Sequence, residues 1–146
     1  MARNYQQGIY EVQNKEKYVG TKEPRYLSSY ELAVFKFCDR SPNVIEWGSE
    51  TTIVKYYNPV KQRLARYLVD IYIKYKDKNG DVHEELIEIK PKAQCKPPKK
   101  GRKRKDVYEQ EVMTWMVNQA KWEEASKYAE QRGMKFRILT EDSIFR

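Results

Sequence analysis

Tyr67-Leu-Val-Asp-Ile-Tyr-Ile-Lys-Tyr75, the tip Asp77-Lys-Asn-Gly-Asp81 and His83-Glu-Glu-Leu-Ile-Glu-Ile-Lys90 read together as a β-hairpin. In the first run Tyr67, Val69, Ile71 and Ile73 share one face and Leu68, Asp70, Tyr72 and Lys74 the other, the two-residue period of a half-buried strand. In the second, Ile87 and Ile89 oppose Leu86, Glu88 and Lys90. The tip sets the register. A two-residue turn at Asn79-Gly80 would place Asp70 opposite Ile89 and send the two acids to opposite faces. A three-residue loop, Lys78-Asn79-Gly80, with Gly80 left-handed in a bulge, pairs Asp70 with Glu88 and Ile71 with Ile87 instead. This pairing keeps both the isoleucines and the acids together.

Directly opposed residues have Cβ atoms about 5 Å apart, so two carboxylates there repel unless a hard cation joins them. Lys90 projects from the same face as Glu88. Phosphodiester hydrolysis uses these parts: carboxylates hold Mg²⁺, for which Mn²⁺ can substitute, the metal acidifies a water, and a lysine orients the nucleophile or offsets the extra negative charge. Asp70, Glu88 and Lys90 are therefore candidate catalytic residues. The competing reading is a cross-strand ion cluster on a solvated sheet face, since short D…ExK spacings also arise by chance.

Outward from the hairpin, Ser28-x-x-Glu31 is a capping box opening a helix through LAVFKFC that Pro42 ends. Val44–Trp47 and Thr52–Tyr57 read as strands, closed by Asn58-Pro59. A long helix is expected from Asp106, capped with Glu109, to about Arg132, with the stripe Tyr108, Val112, Trp115, Gln119 and Trp122; Gly133 stops it. Phe136–Leu139 reads as a last strand. Residues 1–27, with Tyr5, Tyr10, Tyr18 and Tyr26 among polar groups, show no sustained period and are expected to form an irregular arm packed across the domain. The order of elements gives an α/β fold, a mixed sheet flanked by helices. Residues 28–146 make one domain, consistent with a length of 146 residues.

Composition narrows the chemistry. No run approaches the roughly 20 apolar residues of a membrane span, and the first residues lack the apolar centre of a signal peptide, so a cytoplasmic protein without a membrane role is expected. Cys38 and Cys95 form no CxxC pair, and His83 is the single histidine, which argues against disulfides, structural zinc and a serine-histidine triad. Catalysis is left to carboxylates and lysines. The formal charge is +8, and residues 91–105 carry Lys92, Lys96, Lys99, Lys100, Arg102, Lys103, Arg104 and Lys105 without an acid. With Pro97, Pro98 and Gly101 among them, this block reads as a flexible loop that would bind a polyanion by counterion release; a solvated loop or a sorting signal is the alternative.

Four further candidates stand beside the hairpin. Glu31 can add a carboxylate from the first helix, or merely serve the capping box. Gln119 interrupts an apolar stripe, where an active site or a satisfied core amide would account for it. Arg63 and Arg66 precede the Asp70 strand and can meet phosphates, or are ordinary surface arginines. Trp115 and Trp122 read as core residues and not as base-stacking platforms.

With Glu31, Asp70, Glu88-Ile89-Lys90 and the segment NQAKWEEASKYAEQRGMKFRILTED in place, the chain resembles the TnsA-type transposase endonucleases, a branch of the PD-(D/E)xK nucleases. The stretches YLSSYELAVFKFCD, SPNVIEWGSE, YYNPV, RYLVDIYIKYK and ELIEIKPK are similar, more narrowly, to the head-completion nucleases of T-even-type bacteriophages. The resemblance implies a restriction-endonuclease-like αβββαβ core and a magnesium-dependent DNA nuclease, endonuclease or exonuclease. It implies work late in virion assembly, in the infected bacterium's cytoplasm or at the head vertex, where packaged double-stranded DNA is trimmed and filled heads join tails with portal and neck proteins as partners. By position it makes Asp70 and Glu88 metal ligands, the Ile89 carbonyl an additional one, Lys90 the catalytic lysine and Glu31 the helix-borne carboxylate. The TnsA-type pattern can carry glutamine where this chain has Glu88. A structural DNA-binding vertex or neck protein with a vestigial nuclease site is the alternative function, and an RNA-binding basic protein a third.

Overall fold

The computed structural model describes residues 7–144; Tyr5 and the last two residues lie outside it. In chain order the elements are β1 (Gly8–Ile9), β2 (Arg25–Tyr26), α1 (Ser29–Arg40), β3 (Val44–Ser49), β4 (Ile53–Asn58), β5 (Arg63–Leu68), β6 (Ile71–Lys76), β7 (Val82–Ile89), α2 (Lys105–Gln131), β8 (Lys135–Leu139) and α3 (Glu141–Ile144). Short 3-10 turns occupy Lys15–Lys17 and Lys92–Cys95. No described helix is long and apolar enough to cross a membrane.

The hairpin tip closes with the three-residue register. Gly80 has a φ of 82°, where a side chain would be strained, and Asp77 Oδ1 accepts the N–H groups of Asn79 (2.9 Å) and Asp81 (3.0 Å). From there β6 and β7 pair Lys76 with Val82 through to Ile71 with Ile87. The main sheet runs β3-β6-β7-β8, antiparallel until β8 joins β7 in parallel. A parallel neighbour requires a crossover, and α2 supplies it. The fold is thus a mixed sheet flanked by helices.

Two apolar cores result. Phe35 and Cys38 of α1 pack with Trp47, Ile71, Ile73, Ile87 and Ile89 on one side of the sheet. Trp122, Ala125 and Ala129 of α2 pack with Leu86 and with Val54, Tyr56, Tyr67 and Val69 on the other. The last four come from a separate antiparallel ribbon of β4 and β5, or from its junction with β6.

The junction corrects the sequence reading. The run 67–75 is not one strand: β5 ends at Leu68 and β6 begins at Ile71. The Val69 N–H donates to Thr52 O at 3.0 Å, and the Asp70 carbonyl accepts from Glu50 N at 3.1 Å, so the backbone leaves one sheet and enters another. Tyr67 and Val69 consequently join the α2-side core, opposite Ile71 and Ile73.

Three smaller corrections follow. Helix α2 starts at Lys105 after Arg104, with no side-chain cap; Asp106 lies in the first turn, where its charge suits the positive end of the helix and pairs with Arg104 at 2.8 Å. The buried face of α2 is Asn118, Trp122, Ala125 and Ala129, while Tyr108, Val112, Trp115 and Gln119 are only half-buried. A 27-residue helix is about 40 Å long and outruns strands of five to eight residues, so its first half overhangs the sheet. Finally, the arm is not wholly irregular: β1 and β2 pair, and residues 10–17 close on the end of α1 through Asp39.

Candidate active site

Asp70 occupies the junction between β5 and β6, outside either strand, where its carboxylate can turn along β7. Asp70 Oδ2 accepts the Ile89 N–H at 2.8 Å, which fixes the acid beside Glu88 on the face the register demands. Glu88, 5% exposed, accepts a hydrogen bond from the Tyr67 hydroxyl at Oε1 (2.5 Å) and an ion pair from Lys90 Nζ at Oε2 (3.3 Å). The Lys90 N–H is held by Leu139 O at 3.0 Å, so β8 steadies the strand end that presents the lysine. The structure therefore brings Asp70, Glu88 and Lys90 together, with Glu88 buried and Asp70 and Lys90 half-buried.

Electrostatics mark this patch as strained. Burial, then the Glu88 charge, then Glu31 push the Asp70 carboxyl well above the usual carboxylate range, against the opposing help of the Ile89 N–H and Lys90. Burial raises Glu31 as well; hydrogen bonding at Leu27 and Ser28 opposes it, while Glu50 and Glu88 push it further. Glu31 serves the capping box, its N–H donating to the Ser28 hydroxyl at 3.2 Å, and its charge adds to the upward push on Asp70. Burial followed by Glu88 lifts Tyr67 above the ordinary phenol range, which keeps the proton on the hydroxyl that donates to Glu88.

Could these residues hold a metal? Among the described residues no group of three or more histidine, cysteine, aspartate or glutamate side chains is arranged around one ion. Two carboxylates with an available Asp70 Oδ1 nevertheless form an all-oxygen donor set. That suits a hard cation such as Mg²⁺, which takes one or two carboxylates and completes its shell with backbone carbonyl, water and phosphate oxygens. The set fits, and it does not suit zinc.

The other candidates separate. Gln119 lies with Trp122, Phe136, Arg137 and Ile138 in a shallow groove, one strand away from Glu88, whose Cα partner in β8 is Ile138. The buried polar residue of α2 is its neighbour Asn118, which the stripe assignment missed by one position. Arg63 and Arg66 are exposed on β5, Arg66 opposite Lys55. In the basic segment, Lys92, Lys103, Arg104 and Lys105 are paired with Asp142, Glu111, Asp106 and Glu109, so the loop is pinned to α2 and α3. Lys96, Lys99, Lys100 and Arg102 remain without acidic partners among the described residues. Sequence reasoning also missed Tyr67, which it assigned to the opposite face, and Lys121, whose ammonium lies 5.6 Å from the Tyr67 ring centre.

The family model described as TnsA-like endonuclease N terminal matches residues 41–141, the span that holds Asp70, Glu88 and Lys90. The chain belongs to the TnsA-like endonuclease family. It is also 41% identical over 139 residues to the head completion nuclease of Enterobacteria phage T4, an alignment covering 90% of this chain and 88% of that protein. Membership makes this TnsA-like chain a nuclease, and its mixed sheet agrees with the restriction-endonuclease-like fold. Glu31, on α1, lies outside the matched TnsA-like span but inside the described fold.

Proposed function

We propose that the protein is a magnesium-dependent deoxyribonuclease that trims double-stranded DNA protruding from filled phage heads before tails are joined. The observation that carries this reading is the convergence of half-buried Asp70 and Lys90 on buried Glu88, one acid held by Ile89 N–H and the other by Tyr67 and Lys90. The head-completion role extends to this chain what the name of its T4 relative describes, and the DNA substrate agrees with the cations at Arg63, Arg66 and along residues 91–105. Portal and neck proteins at the head vertex, in the infected bacterium, are the partners this role requires.

Asp70 and Glu88, with the Ile89 carbonyl, would hold the ion. A bound Mg²⁺ would supply Lewis-acid polarisation of the phosphate and a nucleophilic water at neutral pH. The protein's own groups prepare that event. The Ile89 N–H fixes one Asp70 oxygen and leaves the other available. Tyr67, kept neutral, orients Glu88 without adding charge. Lys90, ion-paired with Glu88, offsets the negative charge that builds on the phosphate as the bond breaks. Lys96, Lys99, Lys100 and Arg102, with Arg63 and Arg66, hold the backbone and carry no base readout of their own.

Purified protein with Mg²⁺ should cleave linear duplex DNA, EDTA should stop it, and Lys90→Ala should slow it on the order of a thousandfold. Full activity in EDTA or in Lys90→Ala would discard the assignment. Tyr67→Phe removes the hydroxyl that orients Glu88 Oε1 and leaves only Lys90 at Oε2; the Mg²⁺ concentration for half-maximal cleavage should rise about tenfold, with duplex affinity in EDTA unchanged. An unmoved Mg²⁺ requirement would show that Tyr67 only packs.

A further inference from the structure

The overhang of α2 beyond the sheet leaves a cavity of about 660 Å³ between the helix and the basic segment, within the range of small-molecule sites. Its walls are flat and apolar where Trp115, Pro97 and Pro98 meet, and Lys96 and Lys99 stand at its rim. Asn118 also lines it. This residue is 8% exposed, yet its amide has no hydrogen-bond partner among the described residues. Its amide is not among the solvent-excluded polar atoms that lack a partner, so what exposure it keeps is at the cavity, where a polar group that enters would take the place of water.

The loop wall of the cavity follows Lys90 closely in the chain. Ala93 on its wall is three residues beyond Lys90, within about 11 Å along the chain. The Cys95 thiol, two residues beyond Ala93, is raised first by burial and next by Glu141, and it also feels the charges of Lys90 and Glu88. On the helix side, Asn118 is one turn from Lys121, whose ammonium faces the Tyr67 ring, and Tyr67 bonds Glu88. A strand whose phosphate reached Lys90 would thus pass the mouth of the cavity.

We propose that this cavity is a subsite for one unpaired nucleotide of a DNA strand, its base against Trp115 and the prolines, its edge hydrogen-bonded by Asn118, and its phosphate at Lys96 and Lys99. A duplex base cannot enter a cleft of this kind without unpairing, so the subsite selects frayed or overhanging ends over blunt duplex. An amide and a flat aromatic wall are what a base edge and face ask for, and stacking with hydrogen bonding is how unpaired bases are held. The inference rests on the deoxyribonuclease reading for the identity of the polymer, and its geometry stands apart from the acid pair.

The test is binding of the full chain in EDTA to a fluorescent duplex ending blunt, and to the same duplex carrying a four-nucleotide overhang. The overhang should bind about tenfold more tightly, the order expected of one stacked base. Asn118→Leu, which removes only an unpaired amide at nearly constant volume, should erase most of that preference and leave blunt-end affinity unchanged. Lys96→Ala with Lys99→Ala should weaken the overhang substrate more than the blunt duplex at low salt, since both lysines also serve the duplex backbone, and excess deoxynucleoside monophosphate should compete for the overhang substrate only. Equal affinity for the two ends, or a preference that survives both variants, would overturn the subsite. Cleavage of blunt duplex in Mg²⁺, scored separately, reports on the acid pair: a preference without cleavage would sink the nuclease reading and keep the subsite.

Discussion

Asp70→Asn is expected to lose cleavage by about a thousandfold or more and, in chelator at pH 8, to be more stable than the parent chain by about 2 kcal/mol. Both effects come from one cause. The Asp70 carboxyl is buried beside Glu88 and near Glu31, and its proton affinity in the fold is raised well above that of an unfolded chain. A folded state that binds a proton more tightly is favoured while the group is protonated, so this contribution is fully present below the ordinary aspartate value near pH 4 and is lost as pH rises through the raised value. Asparagine cannot ionise and keeps an oxygen to accept the Ile89 N–H, so the variant's advantage should vanish below about pH 4, be small at pH 5 and grow toward pH 8. Saturating Mg²⁺ should reverse the order, since an ion bound only by the native parent adds stability as its concentration exceeds Kd. Thermal melts at pH 5 and pH 8, with EDTA and with Mg²⁺, read all four corners. A variant no more stable than the parent at pH 8 in EDTA would mean that the acids do not oppose folding, and the argument for a cation between them would lose its physical basis.

What the sequence disclosed of this site was local, and what it concealed was tertiary. Gly80 and its flanking aspartates specify the loop by themselves, because only a few residues tolerate a φ of 82°, and from that loop follows the register as far as Ile71–Ile87, beyond which Asp70 meets β7 through the Ile89 N–H. Nothing in the run from Tyr67 to Tyr75 announces that the strand breaks, since apolar residues continue at every second position across the break. The break is made by Glu50 and Thr52, backbone partners some 18 residues earlier, and it is the break that swings Tyr67 to the side of Glu88. The Asn118 and Gln119 exchange has a similar origin: a helix stripe read from periodicity assumes that the whole helix lies on the sheet, and α2 does so only from Asn118 onward. The basic block was visible as charge, but which lysines are tied to Asp142, Glu111, Asp106 and Glu109 depends on where α2 and α3 return.

Asp39→Ala should be the most destabilising single substitution away from the acid pair, by about 3–5 kcal/mol. An aspartate in the last turn of a helix resembles a surface residue, yet Asp39 has no exposed area. Its carboxylate accepts the Tyr10 hydroxyl at 2.6 Å and the N–H groups of Gln13 and Asn14 at 2.8 and 2.9 Å, while its carbonyl receives Asn14 Nδ2 and Lys17 Nζ. Burial works against the charge, but the bonds from Tyr10, Gln13 and Asn14 outweigh it and hold the carboxyl below the ordinary aspartate range. Alanine strands a buried hydroxyl and two backbone donors, each worth about 1–3 kcal/mol when left unmet. The arm it ties down also places Tyr18 against Trp47, with ring centres 4.8 Å apart, and joins Val19 N–H to Trp47 O, so its release would open the α1-side core. Because the folded value is depressed, the stabilisation is present above the ordinary aspartate range and is lost as pH falls through the folded value. Urea titrations should therefore show the gap between parent and variant at pH 7 closing in strong acid, and hydrogen exchange should quicken at Tyr10, Gln13 and Asn14 before it does in β6 or β7. If the variant unfolds at the parent's urea concentration, the arm is held by its apolar contacts, and Asp39 is only the visible end of them.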